Sequence, residues 1–418
     1  MKANIFSALI LIFACFTFSS CDDEPNNGTS SEVKSINLTE GELIIAKQNN
    51  QFAWNMFSHI IDEKGNTIVS PLSATYAMCM TANGANGATR DEIYKALGFE
   101  GFNNEDVNNY LHKLTTQLTS LDSKTTLHIA NSLWHNSSYQ ILNEYISSTK
   151  TYYDADVMPL DIYNAVNQVN DWCSTKTNGL INDLLKPNQV DEFTAAVLVN
   201  AMYFDSQWKT KFNKKDTYKS KFYCADNSTP TVEYMSGKQD FKYFQTLTFS
   251  MISLDFGNGA FALKLIRPNN NYTANGDHYT FDEYYTFDDC INEIKTTGWN
   301  EILKNGYSED GTINIPKFSF KNHLDMKPIY QEMGIISAFN SSADFSNMST
   351  YPFLLITSAS QSNYFEIDED GATAASASST VTGDLMDLGL FTLNRPFIFA
   401  LTERSTGAIL FIGKIEKL

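Results

Sequence analysis

Twelve consecutive residues, Ala372-Thr-Ala-Ala-Ser-Ala-Ser-Ser-Thr-Val-Thr-Gly383, carry no charge, no proline and no side chain larger than valine. Elsewhere such a run would pass for a Ser/Ala/Thr linker. Here it sits between Tyr364-Phe-Glu-Ile-Asp368 and two apolar segments, Pro396-Phe-Ile-Phe-Ala-Leu401 and Ala408-Ile-Leu-Phe-Ile-Gly-Lys-Ile415. Those segments, joined by the turn residues Ser405-Thr-Gly407, read as core strands. A linker in that place would join two halves of one core, not two domains. The run tolerates two states: it can be extended and solvated, and with no proline or charge it can also pair inside a sheet. At period two, Ala372, Ala374, Ser376, Ser378 and Thr380 share one face, and Thr373, Ala375, Ala377, Ser379 and Val381 the other. Both faces suit a sheet interior.

The rest of the body shows mixed helix and strand signals. A chain of 418 residues predicts two or three domains at about 150 residues each, yet from about residue 38 no linker, repeat or charge block divides it. Thr39-Glu-Gly-Glu42 reads as a capping box opening a helix with Phe52, Met56 and Ile60 on one face. Ser70-Pro71 places an N-cap residue before a first-turn proline. Thr89-Arg-Asp-Glu92 reads as a second capping box, closed by Gly98. Ala195–Phe204 is apolar on both faces except at Asn200, which predicts a fully buried central strand. A buried amide is costly unless satisfied, so Asn200 must have partners.

Charge and residue content exclude several functions. The formal net charge is −18, and the densest basic stretch, Lys209-Thr-Lys211 with Lys214-Lys215, is followed at once by Asp216. Such a surface repels phosphate backbones, so no nucleic-acid partner is expected. There is no G-x-S-x-G, H-E-x-x-H or P-loop, and the six histidines (59, 112, 128, 135, 278 and 323) contain no i, i+4 pair. No enzyme activity, metal or cofactor is expected. Exposed aromatics such as Tyr284-Tyr285 would permit an adhesive or glycan-binding surface protein.

The first residues read as an address. Lys2, the apolar stretch Ile5–Phe18 and the small residues after it form a signal segment over residues 1–20. Phe18-Ser-Ser-Cys21 resembles a bacterial lipobox, which implies lipidation at Cys21 and a flexible acidic and polar tether over residues 21–37. Loss of residues 1–20 removes only Lys2 and leaves a charge of −19. The expectation is an extracytoplasmic outer-membrane lipoprotein, at the cell surface or facing the periplasm. Cys79, Cys173, Cys224 and Cys290 remain in the body without a C-x-x-C pair and read as small core hydrophobes.

The hinge-like Glu369-Asp-Gly371 and the small-residue run resemble the hinge and reactive-centre loop of inhibitory serpins. Further motifs extend the resemblance over residues 38–418: Asn66–Ser73, Thr177-Asn-Gly-Leu-Ile181, Leu198-Val-Asn-Ala-Met-Tyr-Phe204, Ile315-Pro-Lys-Phe318, Ala343-Asp-Phe-Ser346 and Leu410-Phe-Ile-Gly413. The resemblance implies a single α+β domain, with mixed helices around three β-sheets and an exposed, insertable loop over about 369–390. It also implies a monomeric suicide inhibitor whose cleaved loop enters the main sheet and traps the protease as an acyl-enzyme. The hinge then comprises Glu369, Gly371, Ala372, Thr373, Ala374, Ala375, Ser376 and Ala377, with Ala372 where the family usually has Thr or Ser.

The resemblance also implies the reactive bond: the family's spacings, fourteen residues on from Gly371 and eleven back from Pro396, both fall on Leu385-Met386. An apolar primary pocket follows, of chymotrypsin-, elastase- or subtilisin-like type; cleavage after Met386 would suit papain-like cysteine proteases. The loop holds no Arg or Lys for a trypsin-like enzyme, and Asp384 and Asp387 disfavour acidic clefts. The family's sheet-opening cluster falls on Ser70, Ser73, Asn200 and Trp208, with Gln361 at its histidine position. The charge argues against a heparin-type cofactor. A non-inhibitory surface binding protein of the same fold is the alternative, although non-inhibitory relatives tend to carry bulky, charged or proline residues in the hinge.

Overall fold

Thr39 begins the first helix, α1 (Glu40–Ser58), with the reciprocal bonds its sequence predicts: its hydroxyl accepts from the Glu42 N–H, and the Glu42 carboxylate takes the Thr39 N–H. Phe52 and Met56 are buried on its inner face, and Ile60, just past its end, is buried as well. The computed structural model describes residues 33–192, 194–275, 278–372 and 391–418, with backbone only at 272–275 and 278–282. The signal segment, Cys21 and residues 373–390, which include Leu385 and Met386, lie outside the described residues. Ile36, near the start of the described body, is buried in the core.

Ser70 caps α2 (Pro71–Gly84), accepting from the Ser73 N–H, with Pro71 in the first turn. Almost every residue of α2 is buried, so it is the central post of the fold. The next helix corrects an expectation. It starts earlier, as α3 (Gly87–Leu97), and Thr89 and Glu92 cap other segments. The Thr89 hydroxyl accepts from the Asp344 N–H, and the Glu92 carboxylate accepts from Ile336 N–H, Ser337 N–H and the Ser337 hydroxyl. Tertiary neighbours carrying orphan donors outbid the local box. Gly98 ends α3 at φ +77° as predicted.

Three sheets occur among the described residues. The one that positions the site contains β1 (Thr125–His135), β2 (Asp156–Pro159), β3 (Ala196–Gln207), β4 (Phe318–Asp325), β5 (Ser360–Ile367) and the two-residue β6 (Gly371–Ala372). Their spatial order is β4-β5-β6-β3-β1-β2. Even-numbered residues of β3 such as Met202 and Phe204 face the main core. Val199 and Ala201 face the opposite side, where α4 (Ala165–Lys176) brings Val169, Trp172 and Cys173 into a second, smaller core.

A nine-stranded sheet packs beneath and carries the C-terminal pair Phe397–Glu403 and Ile409–Ile415, both buried throughout. The turn between them is closed by Glu403, whose carboxylate accepts from both N–H and hydroxyl groups of Ser405 and Thr406. The third sheet is the hairpin Asn270–Asn275 with His278–Tyr284.

The four described cysteines are buried free thiols. Burial pushes the thiols of Cys173 and Cys290 up to about 12, which keeps them protonated and inert.

Replacing Glu92 by Ala strands three donors of residues 336–337. The expected cost is about 1–3 kcal/mol, read as a lower urea midpoint with unchanged far-UV circular dichroism.

Candidate functional site

The expectation of a fully buried central strand holds for only part of β3. Residues 196–198 and Asn200 are half-buried, whereas Ala201–Phe204 are buried. β1 pairs with β3 along its whole length, from Ala196 to Ser206. On the other side, β6 pairs only with Ser206 and Gln207, and among the described residues no ladder joins β3 to β5 below that point. A slot one strand wide therefore separates two long strands. Among the described residues, backbone groups along it lack the sheet partners that a filled ladder would supply.

The upper end of the slot is closed by the hinge. Gly371 and Ala372 pair with β3, and Ala372 also pairs with Ile367 of β5. Gly371 is required by close approach: a Cβ there would lie 2.0 Å from the Ser206 carbonyl oxygen. Ala372 is buried in the core.

Hydrogen bonds and charges hold this start in place. Trp208 N–H donates to the Asp370 carbonyl (2.9 Å), Phe212 N–H to the Glu369 carbonyl (3.1 Å), and the Trp208 indole N–H to the Asp368 carbonyl (2.7 Å). The indole stacks on Phe256 at 4.4 Å. The Asp368 carboxylate receives the N–H groups of Asp370 and Gly371.

Glu369, a buried carboxylate, accepts from the Thr217 hydroxyl (2.7 Å) and pairs with Lys317 (3.3 Å), which also pairs with Glu233. Asp370 pairs with Lys211 (3.1 Å) and Lys214 (2.8 Å). Burial works to raise the Glu369 carboxyl, but the Thr217 hydroxyl and Lys317 outweigh it and hold it below the usual range. Hydrogen bonds from Lys214 and Lys211 hold the Asp370 carboxyl down as well.

Farther down, four of the five residues assigned to the sheet-opening cluster meet over the start of α2. Ser70 N–H donates to Gln361 Oε1 (2.7 Å), and Gln361 Nε2 returns a bond to the Ser70 carbonyl (3.0 Å). The Ser73 hydroxyl donates to Asn200 Oδ1, and Asn200 Nδ2 donates to Asn131 Oδ1 (2.7 Å). β5 and β3, the two walls of the slot, are thus pinned to one helix terminus. Trp208 belongs instead to the hinge, about 26 Å farther along β3 at roughly 3.3 Å per residue.

Two small voids lie under the slot. One of about 20 Å³ is lined by Met202, Phe204, Phe365, Ala372 and Phe411. The other, about 10 Å³, is lined by Ser70, Ser73, Asn200 and Gln361. At the far end a larger cavity of about 390 Å³ opens among Ala196, Leu198, Phe353, Leu354 and Ile356.

Sequence reading passed over Thr217, Asp368 and the pairing of Lys211 and Lys214 with Asp370. The signal was present, since Lys209–Lys215 is the densest basic stretch of an acidic chain, but its partner lies about 160 residues away. Of the hinge residues, Glu369, Gly371 and Ala372 are placed here; Thr373, Ala374, Ala375, Ser376 and Ala377 lie outside the described residues.

Residues 47–418 match the family model described as Serpin (serine protease inhibitor). A serpin-like protein of Methanosarcina mazei is 28% identical over 97% of this chain and 97% of its own length. Leukocyte elastase inhibitor A of Mus musculus is 28% identical over 89% of this chain and 98% of its own. The thermophilic serpin Tengpin in its native state superposes with a TM-score of 0.78 at 27% identity, over 92% of this chain and 96% of that one.

A carboxylate whose folded pKa is depressed adds stability above its unfolded pKa and loses it as pH falls through the folded value. The hinge pairs should therefore hold from pH 8 to 5 and fail below about pH 4. Glu369→Gln should lower stability at pH 7 by about 1–2 kcal/mol and flatten the decline between pH 5 and 3, both measured as urea midpoints.

Proposed function

The chain belongs to the serpin family, and on that premise we propose that it is an inhibitor that traps its target protease by inserting its cleaved loop into the slot between β3 and β5. Family members are generally protease inhibitors and not catalysts. The observation that carries the reading is the register of β6. Ala372 stands opposite Ser206 on one side and Ile367 on the other. Both ladders, continued, place Ala374 between Phe204 and Phe365, Ser376 between Met202 and Asn363, and Ser378 between Asn200 and Gln361. Thr382 comes opposite Ala196, where β3 begins.

This register explains the composition of the run. Ala374, Ser376 and Ser378 would face α2, the side on which Ala372, Met202 and Phe204 lie. The voids waiting there hold about 20 and 10 Å³, so only small side chains enter without displacing Phe204, Phe365 or Gln361. The Ser378 hydroxyl meets a polar void, while Ala374 meets an apolar one. The uncharged run ends at Gly383, one residue past the end of the slot. Its length and its sizes both suit the cleaved product.

In the proposed reaction, the protease serine oxygen bonds to the Leu385 carbonyl carbon and the Leu385-Met386 bond breaks, releasing the Met386 amine. The Leu385 ester then travels with the inserting strand, by about 40 Å for a dozen residues at 3.3 Å each. Insertion supplies the missing ladder partners on both walls of the slot, which is its driving force. An apolar residue at 385 favours a protease with an apolar primary pocket, of chymotrypsin-, elastase- or subtilisin-like type, and the similarity to a leukocyte elastase inhibitor agrees with that choice. Cleavage after Met386 would extend the range to papain-like cysteine proteases. The same reading places the monomeric inhibitor outside the cytoplasm, tethered through an acylated Cys21.

Incubation with an elastase-like or chymotrypsin-like serine protease should give a covalent complex that survives SDS, with a new amino terminus at Met386. The cleaved protein should melt at a higher temperature than the intact one. Cleavage without either outcome would establish the non-inhibitory binding protein instead. Ala374→Arg should leave the loop cleavable but reduce the complex to a minor product on gels, because a guanidinium cannot enter the void beside Phe204 and Phe365.

A further inference from the structure

The chain has only four arginines against 26 lysines, and two of the four, Arg267 and Arg395, line one polar cleft of about 520 Å³. Gln245, Asn269, Asn270 and Asn394 contribute amides to its walls, and among the described residues no acidic side chain lines it. In a protein with a net charge of −18, the other two arginines, Arg90 and Arg404, both stand within ion-pair distance of a carboxylate. Arg395 has no such partner among the described residues. Its guanidinium lies 4.1 Å over the Tyr284 ring and 5.7 Å from that of Tyr223, and its Nε makes one long contact, 3.4 Å, to Asn394 Oδ1. Stacking covers the guanidinium face and leaves in-plane N–H donors in the geometry that suits a carboxylate.

The location gives the cleft a use. Arg267 donates to the Thr392 carbonyl (3.0 Å) and stacks over Phe391 at 4.4 Å. Phe391 and Thr392 form the first described strand after the loop and pair with Ile313 and Asn314. Phe391 lies six residues on from Leu385, a span of at most about 21 Å. A standard interface of about 800 Å² per partner reaches about 15 Å from its centre, and the body of a protease of about 230 residues reaches about 22 Å, so a protease seated on Leu385 overhangs this cleft. Leu247, 72% exposed on the rim, adds an apolar contact beside it.

We propose that the Arg267–Arg395 cleft is an exosite that receives an acidic side chain from the primed-side rim of the target protease; this rests on the inhibitory reading. A sulfated glycan is a poorer fit, because among the described residues no lysine lines the cleft to extend a basic track. Arg267 braces the foot of the loop and shapes the cleft, while Arg395 makes the contact. The acidic body of the inhibitor repels an acidic protease everywhere else, so this contact orients the encounter.

The test uses proteases of chymotrypsin, elastase and subtilisin type with the active-site serine blocked, so that binding is read without cleavage or insertion. Surface plasmon resonance with the intact protein should show affinity about tenfold weaker for Arg395→Ala, weaker still for Arg395→Glu, and intermediate for Arg395→Lys. The differences should vanish at 0.5 M NaCl. Changing acidic residues on the protease rim to Lys should restore binding to Arg395→Glu. Equal affinities for all variants with matched melting temperatures, or no binding by any blocked protease, would overturn the exosite. So would a loss mimicked by 10 mM sulfate on the parent without rescue by the protease variants, which marks a free-anion site. If binding depends on Arg395 but no SDS-stable complex forms with active protease, the exosite stands and trapping fails.

Discussion

A missing strand organises this molecule. β3 and β5 lie in one sheet, yet from Asn200 and Gln361 up to the hinge they share no ladder, and among the described residues the only backbone between them is Gly371–Ala372. Strands inside a sheet normally exchange their N–H and C=O groups with neighbours on both sides. Here, among the described residues, that exchange is missing between β3 and β5, and on the proposed reading the surrounding structure holds the gap for the cleaved loop. The Ser70-Gln361 and Ser73-Asn200 bonds fix each wall to the same helix terminus, so neither wall can close on the other without breaking a buried polar contact. Gln361 at a position where the family has histidine keeps donor and acceptor without introducing a group that titrates near neutrality.

The upper end of the slot is governed by a different force. Two buried or half-buried carboxylates, Glu369 and Asp370, are bound by three lysines that come from Lys211–Lys214 and from Lys317. The indole of Trp208 and the Asp368 carboxylate hold the backbone between them. Polar bonds can break and re-form during a large rearrangement, whereas a jammed apolar side chain would stop it. The division of labour follows: charge fixes where the segment starts, and small side chains govern whether it can continue.

Much of this was legible in the chain. The capping box at Thr39, the proline-led helix at Ser70, the C-terminal strand pair and the need for partners at Asn200 are local or nearly local facts, and each is found in the structure. Where local reading failed, a distant segment intervened. Thr89 and Glu92 have the spacing of a capping box, but the unpaired donors of residues 336, 337 and 344 compete for the same oxygens and win. Trp208 follows the β3 motif so closely that sequence alone sets it with Asn200, whereas a straight strand carries it away to the hinge. The role of the basic stretch at Lys209–Lys215 is not visible locally, because its partner, Asp370, is remote in sequence.

The run from Ala372 to Gly383 announced by itself that this chain must tolerate one segment in two environments, since only small, uncharged, proline-free residues allow both. Size and charge are properties of side chains, and the sequence states them outright. What only the tertiary structure decided is where the second environment lies. Register is a relation between strands, and it is the pairing of Ala372 with Ser206 and Ile367 that, continued as proposed, would align each small residue with a particular void. The convergence of Arg267 and Arg395 on one cleft has the same origin, because sheet pairing brings together residues that lie 128 positions apart in the chain.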